Sequence, residues 1–122
     1  MKSFLVFSGV VSALFVSSIL SASEVEIISV NAECDKAREC IFRVELRHAD
    51  TGWDHYANFW QVMGPDGKVL VERVLHHPHV NEQPFTRSSS RVTIAANIKQ
   101  VTIKAGDKPN GLNSKVYKLT LR

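Results

Sequence analysis

The run Cys40-Ile41-Phe42-Arg43-Val44-Glu45-Leu46-Arg47-His48 decides the fold class. Cys40, Phe42, Val44 and Leu46 face one way; Ile41, Arg43, Glu45 and Arg47 face the other. A strict period of two is the mark of a strand with one face in a core and one in water. His48 continues the apolar phase, so its side chain is expected to point inward at the end of the strand.

Six further strand-like segments surround this one: Val25–Val30, Tyr56–Met63, Lys68–Leu75, Arg91–Ala95, Gln100–Lys104 and Val116–Leu121. Gly64-Pro65-Asp66-Gly67 separates two of them. Proline presets φ and glycine accepts φ > 0, so this is a hairpin turn. Gly106–Ser114 reads as a Gly/Pro/Asn loop, and no segment reads as a helix of useful length. Seven short strands in one stretch of this length predict an all-β, seven-stranded immunoglobulin- or fibronectin-like β-sandwich. Trp60 suits its core. The inward face of Tyr56–Met63 stays open, because Phe59 and Trp60 put aromatics on both sides.

The N-terminus has a different character. Met1-Lys2 is followed by an apolar run from Phe4 to Leu20 and by Ser21-Ala22-Ser23. A positive start, a short apolar stretch and a small-x-small site form the layout of a secretory signal. Residues 1–23 are therefore expected to be a signal peptide and 24–122 a single domain, periplasmic or secreted. No Cys follows the apolar run, so no lipid or membrane anchor is expected in the mature form. The expected mature part carries 14 Lys and Arg against 12 Asp and Glu, interspersed in sign. Such a balance is a solvated strand face and excludes nucleic acid as the expected partner. Cys34 and Cys40 make an even count in an exported chain, which predicts a disulfide. Closing so short a loop stabilises by about 2 kcal/mol in the chain-entropy model.

All five histidines fall in two links, His48–His55 and His76–Arg87. If consecutive strands run antiparallel, links alternate between the two ends of the sandwich. The links between the second and third, fourth and fifth, and sixth and seventh strands then share one pole, opposite the cysteines. A strand between Val80 and Arg87 would break this parity. Neutral imidazole suits copper, zinc and iron. His77-Pro78-His79 lies on extended chain, and Glu82 adds a carboxylate. The candidate metal ligands are His48, His55, His77, His79 and Glu82, with copper the first guess from its place in the affinity order. The alternative is that Asp50, Asp54 and Glu82 cap turns and the histidines lie on the surface. Trp53, Asp54, Tyr56, Phe85 and Arg87 offer a second kind of site, since aromatics and Arg are typical anchors for a protein partner.

The stretches His48-Ala-Asp-Thr-Gly-Trp-Asp-His-Tyr-Ala-Asn58 and His77-Pro-His-Val-Asn-Glu-Gln-Pro-Phe-Thr-Arg87 resemble a group of small exported bacterial proteins, a likeness that implies no activity. Asp54-His55-Tyr56-Ala57-Asn58-Phe59-Trp60 and the hairpin after it resemble superoxide reductases, whose iron sits on an immunoglobulin-like sandwich. That resemblance implies a ligand role for His55. The family also draws a Cys and a His from the loop before its last strand, and Gly106–Ser114 holds neither. His-x-His with a downstream Glu is similar to cupins, though no second histidine motif follows.

No Ser-His-Asp elbow, paired-carboxylate motif or phosphate loop is present. The unusual residues are loop residues on a plain scaffold, as in binding domains. The expectation is an exported binding module taking one transition-metal ion. The alternative is a protein- or peptide-interaction module, with superoxide-reductase-like chemistry the third reading.

Overall fold

The structure is a computed structural model, and it describes residues 24–122; the expected signal peptide, 1–23, lies outside the described residues. The strands are β1 (Glu26–Cys34), β2 (Glu39–Arg47), β3 (Tyr56–Met63), β4 (Val69–Val74), β5 (Phe85–Ser88), β6 (Val92–Thr93), β7 (Gln100–Lys108), β8 (Gly111–Leu112) and β9 (Tyr117–Thr120). One sheet runs β1-β2-β5, with β6 also on β2; the other runs β4-β3-β7-β8, with β9 also on β7. Every pairing is antiparallel. Two sheets packed face to face form the expected sandwich.

Cys40, Phe42, Val44 and Leu46 are all buried, as their alternation requires. They meet Trp60, Val62, Val101, Ile103 and Ala105 of the other sheet in one core. The open question in β3 is resolved by a bulge. Ala57 pairs with Asp107 but Phe59 with Gly106, so Asn58 is an extra residue. A bulge shifts the side-chain phase by one. Ala57 before it and Trp60 and Val62 after it therefore all point inward.

Among the described residues nine strands are present where seven were expected. β8 is a two-residue pairing inside the Gly/Pro/Asn loop. β5 is the strand that would break the parity of the links, yet the parity survives. Both β5 and β6 run antiparallel to β2, β5 along Arg43–Leu46 and β6 along Glu39–Cys40. They are two pieces of one interrupted strand. At the interruption Ser89 stands in for the ladder: its N–H donates to Phe42 O at 2.7 Å and its Oγ accepts from Phe42 N at 3.0 Å. One pole thus collects the end of β2, the starts of β3 and β5, and the end of β7. The opposite pole holds the β1–β2 turn and the Gly64–Gly67 turn.

Cys34 and Cys40 face each other in the β1–β2 register and form a disulfide, Cα–Cα 4.0 Å. Among the described residues no helix is long and apolar enough to cross a membrane.

Candidate metal centre

Two inward rows end in polar residues. Along β2 the row Cys40, Phe42, Val44, Leu46 continues to His48, which is buried. Along β7 the row Val101, Ile103, Ala105 continues to Asp107, also buried. The rows belong to opposite sheets, so sandwich packing brings their ends together. His48 Nε2 lies 3.2 Å from Asp107 Oδ2. His55 reaches the same oxygen from the β2–β3 loop, its Nε2 at 3.4 Å. That loop is tightened by an isolated bridge between Gly52 and His55. The His48 and His55 rings meet edge to face, centroids 4.9 Å apart.

One ligand atom from each of His48, His55 and Asp107 lies within 4.8 Å of the others. With metal–nitrogen and metal–oxygen bonds of about 2.05 Å, neighbouring ligand atoms of a tetrahedral ion are about 3.3 Å apart. The two separations from Asp107 bracket that value. Hydrogen bonding alone leaves the group incomplete: His55 Nε2 is a buried atom with no hydrogen-bond partner among the described residues. A buried donor or acceptor left unpaired is costly.

Asp107 is kept in its accepting form. Burial pushes its carboxyl pKa up. Hydrogen bonds from the Asn110 backbone and from the Asn113 and Asn110 side chains, with the charge of His48, outweigh that and hold it below the ordinary carboxylate value. Asn110 N donates to Oδ1 at 3.0 Å and Asn113 Nδ2 to Oδ2 at 2.8 Å.

Behind the three donors stands Asp50, itself buried. Its Oδ1 lies 2.5 Å from His48 Nδ1 and accepts from Ala57 N at 2.9 Å. Its Oδ2 accepts from His79 N at 2.7 Å. Gln83 makes a second tie between the loops: Oε1 accepts from His48 N at 3.0 Å and Nε2 donates to His79 O at 2.9 Å.

Four of the histidines fall in two sets. His77, His79 and Glu82 do not join His48 and His55 in the three-donor group; Arg87 contacts His79 and Glu82, and His77 packs on His79. Arg87 Nη2 donates to His79 Nε2 at 2.9 Å and lies 3.4 Å from Glu82 Oε1. The His79 ring stacks on Phe85, centroids 4.0 Å apart, and lies 4.5 Å from the His77 ring. Burial lowers the pKa of His79, and the positive charges of Arg87 and His77 add to this; Glu82 and Asp50 oppose it. A neutral ring that accepts at Nε2 from Arg87 is the form this predicts. His77 and Glu82 are exposed.

The expected aromatic–Arg surface is also divided. Trp53 is 62% exposed, packed edge to face on Tyr56, and Asp54 is exposed beside it. Phe85, however, is buried, because it starts β5 on the inward side beneath His79. It cannot serve as a surface anchor. Arg87 lies over its ring at 5.6 Å.

Sequence reasoning missed Asp107 as a donor and gave Asp50 only a turn-capping role. Link parity had already placed the loop after Lys104 at the histidine pole. Carrying the alternation of Val101 and Ile103 past Lys104 to Ala105 would have reached Asp107 as His48's counterpart.

Fold and site together define a β-sandwich domain with imidazoles and carboxylates buried at one end. The chain is similar to a protein of Halomicrobium mukohataei described as "Putative lipoprotein", 33% identical over 95 residues that cover 78% of this chain and 46% of that protein. It thus spans about half the length of the relative it matches. No family model matches the chain, and no solved structure does.

Proposed function

We propose that this domain is an exported binding module, periplasmic or secreted, that holds one divalent transition-metal ion through His48, His55 and Asp107. The observation that carries the reading is the convergence of three donor atoms within 4.8 Å, two at the ends of buried rows and the third on the β2–β3 loop. Export is supported by the signal-like N-terminus and by the likeness to a protein described as a lipoprotein. Two imidazoles and one carboxylate are an N/O set suited to copper, zinc or iron. Copper leads on the affinity order and zinc on the tetrahedral spacing. Three protein ligands leave a fourth position for water or a bound molecule. The test is metal analysis of untagged protein, then titration of the apo form with copper, zinc and ferrous iron. Binding at one equivalent is expected. A flat titration with all three at micromolar protein rejects the reading.

A second reading rests on Trp53, a large aromatic left 62% exposed beside Tyr56. In it this loop receives a periplasmic protein partner. Pull-down from periplasmic extract, with and without chelator, separates the two. Capture that is abolished by Trp53→Ala and indifferent to chelator favours the partner.

A further inference from the structure

We infer that Asp50 is a positioning residue that keeps a proton on Nδ1 of His48 and so turns Nε2 toward Asp107 as a ligand. This rests on the metal reading above. Both oxygens of Asp50 are engaged by donors. The N–H groups of Ala57 and His79 are backbone donors and have no other role open to them. They approach Oδ1 at 2.9 Å and Oδ2 at 2.7 Å. A carboxyl group met this way is built to accept, and its third neighbour, His48 Nδ1 at 2.5 Å, is cast as a donor.

The consequence follows from the ring. With one proton held on Nδ1, Nε2 is the nitrogen that can give up its proton and offer a lone pair, and it lies 3.2 Å from Asp107 Oδ2. A metal ion takes the place of the proton between those two atoms. The nitrogen that does not bind the metal commonly donates to a carboxylate, which fixes tautomer and orientation. Asp50 does this from outside the three-donor group. It is also anchored independently of that group, because its other partners lie on β3 and on the loop before β5. Without Asp50, Asp107 is the carboxylate left beside the ring, and it draws the proton to Nε2.

The experiment pairs two readouts on the full domain. Long-range proton–nitrogen NMR of the imidazoles, with chelator present, reads which nitrogen of His48 carries the proton. Zinc titration reads the site. Wild type should show a protonated Nδ1. Asp50→Ala should lose it and bind zinc about 10–100-fold more weakly, the usual cost of removing a ligand's outer partner. His77→Ala is the control. It lies on the same loop as His79 but outside the three-donor group, so protonation and zinc affinity should stay as in wild type. An unprotonated Nδ1 in wild type overturns the inference, and so does wild-type zinc affinity in Asp50→Ala. Should that variant not fold, the wild-type spectrum decides alone. If wild type takes none of copper, zinc and ferrous iron, the metal reading falls, and the spectra still decide what Asp50 does.

Discussion

His48, one residue past β2, and Asp107, one residue short of the end of β7, continue the inward rows of opposite sheets and meet at 3.2 Å. Both side chains are fully out of solvent. Polar pairs buried in such places seldom repay their desolvation better than apolar packing would. A pole built for stability alone would have carried the apolar rows to their ends.

Asp107→Asn and His55→Ala should each weaken metal binding by more than the roughly 10–100-fold typical of an outer partner. His77→Ala should bind as wild type, because His77 lies in the Arg87 set. Isothermal titration with zinc checks all three. Equal losses in the His77 and His55 variants would mean that the two sets act as one site.

Gly106→Ala should damage fold and site together. A Cβ there would lie 2.5 Å from Gly111 O and 2.6 Å from Phe59 Cε1. Backbone cannot yield as a flexible side chain does, so β8 must move away from β7. The expected loss is about 1–3 kcal/mol, as for other overpacked positions. Asp107 is the next residue, so metal affinity should fall too. Thermal unfolding with and without zinc measures both.

Acidification should cost stability through His79. Its folded pKa is lowered, by burial first and then by Arg87 and His77. The unfolded chain therefore binds more protons below the ordinary His value of ~6.5. Stability from this source is complete above that pH and is lost as pH falls from there through the lowered folded value. His79→Gln removes the titration. In chelator, the gap in melting temperature between wild type and this variant should shrink as pH drops from 7.5 to 5. A gap that holds constant would show that His79 does not titrate differently on folding.

The disulfide should matter to stability and not to the site. Cys34–Cys40 closes the turn at the pole opposite His48. Its loss should cost about 2 kcal/mol by the loop-entropy argument, plus some packing because Cys40 is buried. Denaturant unfolding of Cys34→Ala/Cys40→Ala measures that cost. Zinc affinity should be unchanged, and a coupled loss of affinity in folded protein would show that the two poles communicate.

What the sequence by itself determined is local and periodic. The alternation from Cys40 to Leu46 set the inward row of β2, and its phase put His48 inside. Tyr56–Met63 has the same bounds in sequence and structure, since apolar residues run up to a Pro-Asp-Gly turn that ends the strand. What tertiary structure decided depends on partners remote in the chain. β5 and β8 are four and two residues long, too short to carry a period, and exist only because β2 and β7 offer them ladders. The inward face of β3 was set by a bulge against β7. The division of the histidines had no local signal at all. Which imidazole meets a carboxylate and which meets Arg87 follows from how two sheets stack. That stacking set His48 against Asp107, 59 positions away.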